Sequence, residues 1–213
     1  MGEQDTDAQD TTTDPPRDRR RVVVLAGPSG AGKSRLAERL HTRRGWPVFR
    51  LDDFYRDGDD PAAPRHPTLG IVDWDHPDSW DAERAVHALR ELVDTGRTLL
   101  PVYDIATSRA TGSHEVTAGP TDLVLAEGIF AAEVVARLED EGMLHSAWCV
   151  HHRPSVTFVR RLLRDLGERR KPPAVLVRRG WRLMREEPGI VQRQTALGAV
   201  GSRAAAVERT LLD

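Results

Sequence analysis

Residues 22–34 read Val22-Val23-Val24-Leu25-Ala26-Gly27-Pro28-Ser29-Gly30-Ala31-Gly32-Lys33-Ser34. The apolar, β-branched opening predicts a buried strand. The glycine-rich turn lets successive backbone N–H groups curl toward one point. The helical pattern that opens at Lys33 adds the positive end of a helix dipole there. Strand, turn and helix in this order are the setting in which such a loop binds phosphate. Gly27, Ser29, Gly30, Ala31, Gly32, Lys33 and Ser34 are therefore candidate nucleotide-binding residues. Lys33 is expected to reach the β- and γ-phosphates, and the Ser34 hydroxyl to ligate Mg²⁺. Arginine is the cation almost everywhere else in this chain, whose two lysines are Lys33 and Lys171. A compact charge on a flexible stem suits position 33, and arginine's planar fork does not replace it.

Outward from this loop, apolar runs alternate with helical patterns. A helix is expected over 33–44, with Leu36, Ala37 and Leu40 on one face. Residues 47–51 read as a short strand ending at Asp52-Asp53. A loop rich in Pro, Gly and Asp covers 56–78, and a helix 79–94 stops at Gly96. Residues 98–102 form a strand, and 105–120 a small hairpin or flap turning at Gly112 and Gly119-Pro120. Strands follow at 122–126 and 147–151, with helices at 130–141, 154–168, 174–186 and 189–211. Such an alternation predicts a parallel sheet with helices on both faces; with the loop at 27–34 this is a three-layer α/β fold of the P-loop kind, carrying a small flap and, on one reading of the arginines after Pro154, an arginine-rich lid. Residues 1–18 read as a disordered tail, and 19–213 as one domain.

The bulk composition narrows the function classes. The 213 residues carry a formal net charge of −2, which does not favour general nucleic-acid binding. No apolar run approaches the ~20 residues that span a bilayer. Residues 1–16 lack the apolar core of a signal peptide. The one cysteine, Cys149, lies in an apolar run and reads as a buried strand residue in a reducing compartment, consistent with a cytoplasmic location.

Four further clusters carry possible chemistry. Asp52-Asp53-Phe54-Tyr55 ends the second strand, at the sheet edge where ligands bind in open α/β folds. A carboxylate there could accept a proton from a hydroxyl acceptor, hold Mg²⁺ through water, or simply be solvated. Glu127 ends the strand 122–126 beside the loop, in the position of a carboxylate that supports Mg²⁺ with Ser34. The run 73–80, Asp-Trp-Asp-His-Pro-Asp-Ser-Trp, joins aromatic and acidic groups suited to a planar or sugar-like ligand, with Trp80 expected to staple the loop to the core. Arg160, Arg161 and Arg164 share one face of the helix after Pro154, with Arg169 and Arg170 beyond. They form either a lid that neutralises charge on a moving phosphoryl group or a solvated face paired with Asp165 and Glu168.

Together these segments resemble the uridine kinase and phosphoribulokinase group of P-loop kinases over about residues 22–171. The matching stretches are 27–34, Leu-Asp-Asp-Phe-Tyr-Arg at 51–56, Asp-Trp-Asp-His-Pro-Asp-Ser-Trp-Asp at 73–81, Pro-Val-Tyr-Asp at 101–104, Leu-Ala-Glu-Gly at 125–128, and 160–169. The resemblance implies ATP and Mg²⁺ as cofactors. It also implies Asp52 as the base for a sugar 5′-hydroxyl, and Tyr55, Asp75 and Tyr103 as acceptor-site residues, with Arg109 nearby on the same side. Glu127 would support Mg²⁺ with Ser34, and Arg161, Arg164 and Arg169 would act on phosphates from the lid. An assembly of identical chains is a further implication. Two stretches depart from the pattern. The family usually places a histidine a few residues after Tyr-Asp, and none follows here between Tyr103 and Arg109. The segment 181–213 also lacks the family's closing pattern. The expected activity is transfer of a γ-phosphoryl group to a small hydroxyl acceptor, uridine or cytidine first. The alternatives are a pantothenate-like or sugar acceptor, or a non-catalytic ATP-binding switch.

Overall fold

A computed structural model describes residues 19–67, 70–152, 155–158 and 173–213, and the side chains of 173–184 fall outside that description. In chain order the elements are β1 (Arg21–Ala26), α1 (Lys33–Arg44), β2 (Val48–Arg50), α2 (Ala82–Thr95), β3 (Arg97–Asp104), β4 (Arg109–Thr117) and β5 (Leu123–Glu127). They continue with α3 (Val135–Asp140), β6 (Leu144–Val150), α4 (Pro173–Ala196), β7 (Val200–Ser202) and α5 (Ala204–Leu212). Five strands form one sheet in the order β2-β5-β1-β6-β7, with every pairing parallel. β3 and β4 form a separate antiparallel hairpin.

β1 is the centre of the sheet, and its side chains alternate between two cores. Val22, Val24 and Ala26 join Phe49, Leu89, Leu92 and Leu138 on one face. Val23 and Leu25 join Leu36, Ala37, Leu40, Val207 and Leu211 on the other. A strand covered on both faces needs a continuous apolar run, which is why 22–26 shows no polar alternation. Each fully buried Val or Leu here contributes about 1.5–3 kcal/mol of transfer free energy. α2 is capped by Asp81, whose carboxylate accepts the Arg84 N–H at 3.0 Å. Its apolar stripe of Val86, Leu89 and Val93 faces the sheet, as the spacing predicts.

Several boundaries differ from the sequence reading. The expected helices 174–186 and 189–211 are one helix, α4, running through Pro188, followed by β7 and the short α5. Proline removes one helical donor, but the flanking turns carry α4 past it. The hairpin spans 97–117 and turns at 105–108, rather than lying within 105–120. A 3₁₀ turn at Pro77–Ser79 precedes α2, and another at Ala131–Val134 precedes α3. The tail 1–18 and most of the predicted helix 154–168 lie outside the described residues. Among the described residues, no helix is long and apolar enough to cross a membrane.

Candidate active site

Three neighbouring parallel strands deliver the site. β1 runs into the loop at Gly27. β5, its partner, ends at Glu127, which pairs in register with Leu25. β2, on the far side of β5, ends with Arg50 opposite Glu127, and Asp52 follows in a 3₁₀ turn. Loop, Glu127 and Asp52 thus sit together at the carboxyl end of the sheet, where the parallel topology leaves a crevice.

The loop is packed as closely as backbone allows. Gly27 holds φ +136°, and a Cβ there would lie 2.1 Å from the Val150 carbonyl oxygen. Only glycine satisfies both the torsion and the contact. Lys33 is buried, and its Nζ donates to the carbonyl oxygens of Gly27 at 2.8 Å and Pro28 at 3.3 Å. The Ser34 hydroxyl donates to both Glu127 carboxylate oxygens, at 3.1 and 3.2 Å. Burial pushes the Glu127 carboxyl above the ordinary range. The nearby Lys33 ammonium opposes that shift and the Asp52 charge adds to it. Ser34 and Glu127 therefore offer two hard oxygen ligands beside a phosphate cradle, a donor set that fits Mg²⁺.

Asp52 is held from behind. Its Oδ1 accepts the Ile129 N–H at 2.9 Å. Gly128 makes this approach possible, since a Cβ on it would lie 2.8 Å from Asp52 Oδ1 and 2.9 Å from Leu51 Cβ. Asp53, the other carboxyl of the pair, is pushed upward chiefly by burial, against the pull of Arg50 and His114.

An aromatic group stands beside Asp52. Tyr55 contacts Trp74 edge-on with centroids 5.7 Å apart, Tyr103 at 5.8 Å and Phe130 at 6.2 Å. Burial, then the Asp52 and Asp75 charges, raise the Tyr55 phenol. Asp75 is exposed, and its N–H donates to Asp73 Oδ1. Tyr55 donates to the Trp74 carbonyl at 3.4 Å, and Tyr103 donates to the Arg56 carbonyl at 3.0 Å. Burial pushes the Tyr103 hydroxyl up to about 12. Trp80 is buried and stacks on Phe130 at 6.3 Å, so it staples the loop as expected, while Trp74 stays half-buried beside the tyrosines.

The hairpin is tied to this region through backbone. Gly58 N–H donates to the Ser108 carbonyl at 2.8 Å, and Ala110 N–H to Asp57 Oδ1 at 2.9 Å. Arg109 pairs with Asp59 in an exposed ion pair across the same joint. Arg161, Arg164 and Arg169 lie outside the described residues. Cys149 is buried, with its thiol pushed up to about 11 by burial, and donates to Gln194. Sequence reasoning missed Gly128, Phe130 and Gln194. The spacing Val191, Gln194, Leu197 was a readable signal for the last, since it places a polar residue on an apolar helix stripe.

The fold and this loop define a phosphotransferase of the P-loop kinase class. The chain belongs to the phosphoribulokinase / uridine kinase family, whose model matches residues 22–176. It is 26% identical over 152 residues to a uridine kinase of Lactobacillus johnsonii, covering 70% of this chain and 69% of that one. It is 31% identical over 162 residues to a uridine kinase of Deinococcus deserti, covering 73% of each. Among solved structures, a protein described as a fructose transport system kinase from Silicibacter sp. TM1040 matches with a TM-score of 0.60 at 20% identity. The match covers 84% of this chain and 88% of that one, and it shows the shared fold.

Proposed function

We propose that this chain transfers the γ-phosphoryl group of ATP to a hydroxyl of a small molecule, with the 5′-hydroxyl of uridine or cytidine as first acceptor. The observation that carries this reading is the state of Asp52. One oxygen is anchored by the Ile129 N–H, and the other meets no hydrogen-bond donor among the described residues. An oriented carboxylate with an open oxygen at a sheet edge suits the removal of a hydroxyl proton.

The other residues take roles that follow from their chemistry. Gly27 to Ser34 hold the triphosphate through backbone N–H groups, and Lys33 brings a cation to its β- and γ-phosphates. Ser34 and Glu127 hold Mg²⁺, which when bound neutralises phosphate charge. Asp52 accepts the acceptor's proton. Tyr55, Trp74 and Tyr103 present ring faces to the acceptor, Asp75 accepts from its hydroxyls, and Arg109 supports the hairpin side of the same pocket. Arg161, Arg164 and Arg169, which lie outside the described residues, take the role the resemblance implies for them, neutralising charge on the phosphates.

A second reading, a sugar or pantothenate-like acceptor, is favoured by one observation. The Tyr103 hydroxyl is committed to the Arg56 carbonyl, and Asp104 is committed to its own turn through Ala106 N–H and Thr107 Oγ1. The Tyr103 hydroxyl has thus already placed its one proton, and Asp104 can only accept, so neither offers a donor to a base edge. Incubation with Mg·ATP and a panel of nucleosides, sugars and pantothenate, following ADP release and product mass, decides between the two. Uridine or cytidine monophosphate is the expected product. A phosphorylated sugar would move the chain to the second reading. Hydrolysis with no phosphorylated product across the panel would remove the kinase reading.

A further inference from the structure

The family match stops at residue 176, yet α4 continues to Ala196, and its last turn reaches back to the site. Gln194 is 4% exposed. A buried amide has to satisfy both its donor and its acceptor ends. Gln194 Nε2 donates to the Ile129 carbonyl at 2.8 Å, and its Oε1 accepts the Cys149 thiol at 3.3 Å. One residue earlier, Arg193 pairs with Glu133 on the 3₁₀ turn after β5. The end of α4 therefore grips residues 129–133 at two points.

Ile129 is also the residue whose N–H donates to Asp52. Its carbonyl is fixed by Gln194 and its N–H fixes the carboxylate. Gly128 beside it leaves no side chain to hold Asp52 instead. We infer that Gln194 is a positioning residue for Asp52, acting through Ile129 from a helix turn outside the family-matched segment. This rests on the reading of Asp52 as the base. A carboxylate that must meet a hydroxyl proton within hydrogen-bond reach is sensitive to small displacements. Gln194 sets that placement without touching substrate.

Gln194→Met keeps the volume and removes both polar ends. It is expected to lower kcat about 10- to 100-fold, with the KM for ATP within about twofold of wild type. In an Asp52→Asn background the same change is expected to lower kcat no further, because the two residues act as one unit. Cys149→Ala removes only the thiol partner and is expected to leave kcat within about twofold. The inference is overturned if Gln194→Met leaves kcat unchanged, or lowers it by the same factor in the Asp52→Asn background. If Asp52→Asn itself leaves kcat unchanged, it is the base reading that fails. Should Gln194→Met not fold, Gln194→Leu repeats the test. Hydrogen exchange on the unmodified protein tests the link with no variant at all. The Ile129 amide is expected to be strongly protected, and exchange at the rate of an exposed loop amide would overturn the inference.

Discussion

Glu127 ends a buried strand of the sheet and Lys33 and Ser34 open α1 on the loop that leaves its central strand, whereas Tyr55, Trp74 and Tyr103 hang from loops and a two-stranded hairpin. On the first side, position is set by strand register: Leu25 faces Glu127, and Glu127 faces Arg50. On the second it is set by a few backbone bonds and ring contacts, such as Gly58 to Ser108 and Tyr103 to Arg56. The phosphate end is thus built with little freedom to vary. The aromatic end is built from pieces whose sequence can change without disturbing the sheet, and that is the end on which specificity would depend.

The largest expected effect tests the rigid side. Lys33→Ala is expected to lower kcat/KM by about 10³-fold, near 4 kcal/mol, as for a group aimed at developing charge. Unchanged turnover in a coupled ADP assay would take the loop out of the mechanism. Next, Asp52→Asn is expected to cut kcat by about 10²- to 10⁴-fold while leaving ATP affinity close to wild type. If titration with ATP shows that only affinity falls, Asp52 belongs with the metal ligands and the contrast between the two sides shifts by one residue.

Glu127→Gln separates stability from function on the rigid side. The folded pKa of Glu127 lies above its unfolded value because burial outweighs Lys33. The native state therefore binds this proton more tightly than the unfolded chain does. The group favours the fold at pH values below the ordinary glutamate range and costs stability as pH rises through its raised value. At neutral pH the neutral amide is expected to raise Tm while Mg²⁺-dependent turnover falls. Differential scanning calorimetry at pH 5 and pH 8 checks it: the gain in Tm should be larger at pH 8, and a drop at both would contradict the sign.

The smallest effect belongs to the aromatic side. Tyr103→Phe removes the hydroxyl bonded to the Arg56 carbonyl and is expected to cost about 1 kcal/mol of stability, leaving the ring face in place. Its KM for the acceptor is expected to stay within about threefold of wild type. A much larger rise would mean that the hydroxyl, rather than the ring, meets the acceptor.

Which parts were legible in the sequence follows from the same contrast. β1, the loop and α1 were readable because burial on both faces forces an apolar run, and because a phosphate cradle needs glycine where a side chain would strike Val150. The capped, amphipathic α2 was readable from its period. β7 was not: Val200-Gly201-Ser202 is three residues long, and only its pairing with β6 makes it a strand. The expected gap between helices at 186 and 189 is absent, because α4 runs on through Pro188. In the site, Asp52 and Glu127 were found as acidic residues ending apolar runs. Gly128 and Gln194 were not, because their importance lies in what they approach, and approach across 77 or 65 residues of chain leaves no local pattern.

The β3–β4 hairpin shares no ladder with the main sheet. It enters from α2 and leaves toward β5, and its turn rests on the short segment 57–59. It is held instead by its inward face, where Leu100 is fully buried in the core around Val22 and Val24. The hairpin therefore works like a drill in a chuck: the gripped shank must keep its fit, while the exposed tip at 105–107 is the part that can be exchanged without loosening the rest.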